Sequence, residues 1–185
     1  MALTDNLVAY YKLDETSGTT AYDALGNYNG TNNGATVNQA GKIGKAYYFD
    51  GSNDKITIGD ADPFDINNND FSINLWINPS TWAGTVGIIS KSVKIDNSKG
   101  WVLYRDSISN KLQFRLNDGS MKAANFTSSS ISSGSWQMIS IVYSDTNSNV
   151  TLYENGNYIQ TVSISGGDCR TTAEITIGFA NSWNA

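Results

Sequence analysis

Residues 70–80 read DFSINLWINPS, with Phe71, Ile73, Leu75 and Ile77 on one parity and Ser72, Asn74, Trp76 and Asn78 on the other. That period of two is the alternation of a half-buried β-strand. Trp76 breaks it, because a large apolar ring stands on the polar side; either the ring packs beneath a loop or edge, or it meets a ligand. Comparable runs recur at 7–13, 45–51, 55–59, 71–79, 87–93, 101–106, 111–117, 136–144, 150–156, 157–164 and 174–180. Their number and spacing predict an all-β protein, a sandwich or jelly roll with very little helix, since no long segment carries apolar residues at helical spacing. Asn155-Gly156, between two such runs, predicts a two-residue hairpin because both residue types tolerate positive φ. Between Leu13 and Lys45 the text is rich in turn formers and poor in apolar periodicity, which predicts a folded loop excursion.

One hairpin can be read to the level of register. In WVLYRD-SISN-KLQFRLN a four-residue connection pairs Asp106 with Lys111, Tyr104 with Gln113 and Val102 with Arg115. These side chains then share one face, and Leu112, Phe114 and Leu116 share the other. Burial draws the leucines and the phenylalanine inward, so Tyr104, Gln113 and Arg115 are expected to face solvent or a groove. An aromatic surface with planar donors beside it suits sugar hydroxyls or a carboxylate; an ordinary solvated sheet face is the plainer alternative.

The chain has 185 residues, 39% of them hydrophobic, enough for one substantial core, and is read as one domain over residues 1–185. A formal charge of -5 leaves no basic footprint for nucleic acid, whose phosphates supply most of that affinity. No apolar run approaches the roughly 20 residues of a membrane span, and the first residues have neither a basic nor an apolar region of the secretory kind. Histidine is absent and Cys169 is the single cysteine. Serine and cysteine nucleophiles of the histidine-assisted kind and the common zinc sites are therefore excluded, as is an internal disulfide. Cys169, in the polar stretch SGGDCR, reads as a spectator thiol.

LVAYYKLDE, KAYYFDGSNDKITIG, FSINLWINP, GIISKS and GSWQMISIVYSDTNSNVTLYENGNYIQT followed by ITIGFA resemble, in that order, the laminin-G-like or concanavalin A-like jelly-roll domains of the bacterial and phage type. The FDGSND turn and the block from Gly134 to Thr161, with Trp136, Tyr143, Leu152, Tyr153, Asn155 and Gly156, carry the resemblance most specifically. It implies two antiparallel sheets packed face to face as a jelly-roll sandwich, and a module that is usually non-catalytic and binds glycans or protein surfaces. Fold alone does not supply function. A tryptophan at the position of Trp76 is a general feature of that family, which favours a structural role for the ring over sugar stacking.

The resemblance also implies a structural calcium ion where the first strand, the early turn and the last strand meet, with Asp14 and Asp50 as its ligands here. Calcium takes oxygen donors, backbone carbonyls included, and Asn53 and Asp54 share the turn with Asp50. The loop GDADPFDINNND is acidic too, but it lacks the glycine and glutamate that an EF-hand requires. Asx residues equally often serve their own turns. Glucan-hydrolysing relatives set clustered acids along one strand; here Glu15, Glu154 and Glu174 lie far apart and no such run exists. Asn-x-Ser/Thr patterns at Asn29, Asn125 and Asn149 are of the kind chance produces in so Asn-rich a chain and receive no function.

These observations lead to a non-catalytic recognition module that attaches its parent assembly to glycan or another surface, with Tyr104, Gln113, Arg115 and Trp76 as ligand-binding candidates. A purely structural virion or cell-surface protein without a small ligand is the alternative, and an enzyme acting on polysaccharide comes third. Because members of the resembled family work outside cells while no signal peptide precedes the first run, a phage virion component is the expected setting, with a piece excised from a longer protein and given an added Met as the rival explanation. The resembled family closes with a further strand beside the first one, and the text here stops at GFANSWNA. Either the natural chain continues beyond Ala185 or a neighbouring subunit donates a strand beside residues 7–13; the loss of that strand also removes one expected calcium ligand.

Overall fold

The runs with period two become strands, and their apolar parity decides which way each strand faces. The computed structural model describes residues 6–81, 84–92 and 98–178. In chain order its strands are β1 (Thr20–Ala21), β2 (Gly30–Asn33), β3 (Thr36–Ala40), β4 (Lys45–Tyr48), β5 (Lys55–Ile58), β6 (Phe71–Ile77), β7 (Val86–Lys91), β8 (Gly100–Arg105), β9 (Leu112–Asn117), β10 (Met121–Asn125), β11 (Gln137–Ser144), β12 (Asn149–Glu154), β13 (Asn157–Ser163) and β14 (Ile175–Gly178). A short 3₁₀ turn at Asp62–Phe64 is the one helical element among the described residues.

An eight-stranded sheet in the order β1-β2-β5-β14-β7-β8-β9-β10 faces a four-stranded sheet in the order β13-β12-β11-β6, and β3 pairs with β4 as a separate ribbon. The pairings are antiparallel. The fold is the all-β jelly-roll sandwich that the sequence predicts. Leu103, Leu112, Phe114 and Leu116 from the large sheet and Ile139, Ile141, Val150 and Leu152 from the small one are fully buried between the layers. Each such side chain contributes roughly 1.5–3 kcal/mol by leaving water. Phe71 of β6 joins the layers: its ring lies 6.1 Å from Trp101, 5.8 Å from Phe114 and 5.4 Å from Tyr143, centroid to centroid.

The hairpin at Asn155-Gly156 forms, with φ of 52° and 80° at the two turn residues. Elsewhere the structure corrects the expectations. Among the described residues, residues 7–13 make one isolated bridge, Tyr11 to Asp23, and no ladder. The stretch 14–44, expected as a loop, contains β1, β2 and β3. Its strands were hidden because GTNN of β2 is polar by composition; it is held by pairing to β5, Gly30 opposite Ile58 and Asn32 opposite Ile56. Gly30 is needed there, since a Cβ would stand 2.7 Å from Ile56 Cγ2. β10 likewise escapes the pattern, its MKAAN showing no apolar alternation. Residue 93 of the run 87–93 and residues 179–180 of the last run lie outside the described residues.

β6 is the outer strand of the small sheet, and among the described residues it pairs only with β11. The consequence is a gradient of burial across one row of side chains. Tyr143, Ile141 and Ile139 of β11 are fully buried, whereas their register partners Phe71, Ile73 and Leu75 are half-buried. Beside this edge runs a cleft of about 2190 Å³.

Candidate functional site

The β8–β9 register is the one derived from loop length: Tyr104 opposes Gln113 and Val102 opposes Arg115, and the Asp106 N–H donates to Lys111 O at 2.9 Å. The three candidates come together. The Tyr104 hydroxyl donates to Gln113 Oε1, and Arg115 Cζ lies 4.9 Å from the Tyr104 ring centroid. Their expected exposure is corrected. Tyr104 is 0% and Gln113 9% accessible, and only Arg115 keeps part of its surface. β8 runs inside a wide sheet with a strand on each flank, and the long Arg115 side chain lies across the ring, so this face is closed by its own residues. Tyr104 therefore offers no aromatic surface to a sugar.

Trp76 takes the opposite course. Its register partner is Met138 on the outward face of the small sheet, and the residue remains 38% exposed. Lys42 sets its ammonium 5.5 Å from the ring centroid, within reach of a cation–π attraction. Asn74 and Asn78 share its outward parity, and all of them line the cleft beside β6. Trp76 is thus partly covered, with Lys42 over its ring, and partly open to solvent.

Asp14 makes a long-range contact to the start of β4, and Asp50 serves its own turn. Asp14 Oδ1 accepts the Lys45 N–H at 2.7 Å, and Asp50 Oδ1 accepts the Ser52 N–H at 2.8 Å. The Asp50 N–H in turn donates to Asp54 Oδ2 at 3.0 Å, the local Asx bonding that such residues favour. Among the described residues no group of three or more acidic, histidine or cysteine side chains stands ready to hold a metal. Each of the two carboxylates thus has Oδ1 committed to a backbone N–H.

Several polar centres escaped the sequence reading. Asp23 is buried and accepts the N–H groups of Tyr10 and Leu25 at Oδ1 and of Asn27 and Tyr28 at Oδ2. Burial pushes its carboxyl up, but those backbone donors outweigh it and hold the group below the usual carboxylate range. Glu154 is buried and bonded to Ser129 Oγ at 2.7 Å, Ser130 Oγ at 2.9 Å and the Ser130 N–H. Lys91 is fully buried near Asp60 and Asp65. Parity offered no signal for Lys91, because Ile88 and Ile89 put apolar residues on both parities of β7 and the register shifts between Gly87 and Ile89. Beside it Asp62, Asp65, Asn67, Asn69 and Arg170 line a small polar pocket of about 350 Å³. Cys169 is buried, and burial pushes its thiol up to about 11, so it stays protonated at neutral pH, as a spectator would.

Comparison with known proteins places this geometry in a family. A laminin-G type family model, described as the Concanavalin A-like lectin/glucanases superfamily, matches residues 50–185. No curated protein matches the sequence. Among solved structures, Domain 4 of AbnA, a GH43 extracellular arabinanase from Geobacillus stearothermophilus, in complex with arabinotriose, is similar at 20% identity and a TM-score of 0.62, over 94% of this chain and 72% of that one. The botulinum neurotoxin serotype D binding domain is similar at 19% identity and a TM-score of 0.64, over 93% of this chain and 43% of that one. A botulinum neurotoxin type C structure, whose cell entry depends on two ganglioside molecules, gives 20% identity and 0.63, over 92% and 42%. This chain thus spans under half the length of the toxin chains. At these identities the likeness is one of fold.

Proposed function

The chain belongs to the Concanavalin A-like lectin/glucanases superfamily, and from that premise we propose that it is a non-catalytic recognition module that binds carbohydrate on the outward face of β6. The exposed Trp76 ring carries this reading. An aromatic face suits the apolar face of a pyranose, and the amides of Asn74 and Asn78 and the ammonium of Lys42 supply hydrogen-bonding groups around it. Sugar sites combine such an apolar surface with a few placed polar groups. The arabinanase domain bound to arabinotriose makes carbohydrate a ligand class seen on this fold; applied to this chain that is an argument by analogy.

Binding without catalysis is favoured by the state of Glu154, whose carboxylate is buried and occupied by Ser129 and Ser130. The other glutamates stand at positions 15 and 174. We extend the proposal to a setting at an extracellular or virion surface, where attachment to glycan would serve the parent assembly; detection of the chain in purified phage particles by mass spectrometry tests that setting separately.

Glycan-array screening of the protein, followed by titration of the best binder against Trp76→Ala, tests the function. The expected result is binding by the wild type that weakens about tenfold or more in the variant, the scale of one lost aromatic contact. Absence of any glycan signal overturns the function, while binding that ignores Trp76→Ala moves the site away from β6. Release of reducing sugar would make the protein an enzyme and defeat the non-catalytic reading.

A further inference from the structure

Lys91 is the last residue of β7 and points to the core side of the large sheet, in register with Trp101 of β8 on one flank and Ile175 of β14 on the other. Its side chain is 0% accessible. A buried ammonium is costly unless it is paired and hydrogen-bonded, and this one is surrounded by oxygen. Asp60 Oδ1 lies at 2.5 Å, Thr171 O at 2.8 Å and Ala173 O at 3.0 Å. Asp65 Oδ1 lies at 3.2 Å, and it also accepts the Thr171 N–H at 3.2 Å. Two carboxylates and two backbone carbonyls are the donor types that a hard cation collects. Here a covalently attached ammonium stands among them, a stand-in ion that defines the cage.

We propose that Lys91 is the resident cation of an oxygen cage formed by Asp60, Asp65, Thr171 O and Ala173 O, and that replacing it by a short side chain converts the cage into a calcium site. The charge count supports this. Inside the cage the two carboxylates carry two negative charges against one from the ammonium, with Arg170 outside it near Asp65, and the Asp60 side chain is 39% exposed while that of Asp65 is 10%. Calcium would balance both, and water filling the vacated side-chain volume would complete the six to eight oxygens it requires. In the wild type the ammonium joins the segment around the 3₁₀ turn to the segment before β14. Trp101 anchors the first of these independently, its Nε1 donating to Phe64 O at 3.0 Å.

The position of Trp101 beside Lys91 supplies the readout. Terbium, a luminescent substitute for calcium, is excited through a nearby indole. Lys91→Ser is expected to show terbium emission on tryptophan excitation that exceeds the wild type, that calcium displaces, and that Asp65→Asn in the same background abolishes. Its melting temperature should rise by several degrees in millimolar calcium relative to chelator, while that of the wild type changes less. If Lys91→Ser does not fold as expressed, refolding in calcium and in chelator is compared, and recovery in calcium alone supports the cage. Equal melting temperatures, or equal recovery in both including none, together with terbium emission no greater than wild type, overturn it. Lys91→Met, which fills the space with an apolar chain, is expected to gain no response to calcium.

Discussion

Arg115 lies over the ring of Tyr104, guanidinium carbon to centroid 4.9 Å, on a sheet face where both residues were expected to meet solvent. The tyrosine is held from above by that guanidinium and from the side by Gln113. Tyr104→Ala should therefore destabilise the protein by about 3–5 kcal/mol, the scale of a large buried aromatic lost from a packed site. Tyr104→Phe, which removes only the hydrogen bond, should cost about 1–2 kcal/mol. Urea unfolding of the two variants measures both, and the same pair in an Arg115→Ala background should not be additive.

Asp23 makes stability depend on pH in a defined direction. Its carboxyl is held below the usual range in the folded protein, so the unfolded chain binds the proton first as pH falls. The stabilisation is fully present above the ordinary carboxylate value of about 3.9 and is lost as pH drops through the lower folded value. Asp23→Asn should lose about 2 kcal/mol at neutral pH, because its amide cannot accept from Asn27 and Tyr28 as Oδ2 does. Its unfolding free energy should also fall less steeply below about pH 4, which urea titrations at several acid pH values would reveal.

Glu154 ties β12 to the loop after β10 through Ser129 and Ser130. Glu154→Gln keeps the shape but turns a donor toward the serine N–H, and a loss of about 2–3 kcal/mol is expected. Hydrogen exchange should show faster opening at residues 129 and 130, with the strands of the large sheet little affected.

Gly100 sits at φ 135°, and a Cβ there would lie 1.9 Å from Lys91 O. Gly100→Ala should fail to form the β7–β8 ladder at that end and lose about 4 kcal/mol or more. Gly51, at φ 81° with open space where a Cβ would stand, is the control: Gly51→Ala should cost about 1–2 kcal/mol from backbone strain alone. Thermal melts of the pair separate a steric clash from conformational strain.

What the sequence by itself determined is whatever short-range geometry decides. FSINLWI becomes β6 because its apolar parity can be buried on one face only, and Asn155-Gly156 closes a hairpin because both residues accept positive φ. The pairing of Tyr104 with Gln113 follows from the length of the turn between them. The tertiary structure alone decided the second face of each strand. Tyr104 and Trp76 both stand on a polar parity, yet one is sealed under Arg115 in the middle of a wide sheet and the other stays open on an outer strand. The alternation of a strand says which side chains share a face and nothing about what covers it. Lys91 is the extreme case: its hydrogen-bond partners Asp60, Thr171 and Ala173 lie 31, 80 and 82 residues away along the chain, and a charge becomes tolerable in the interior only where distant oxygens converge on it.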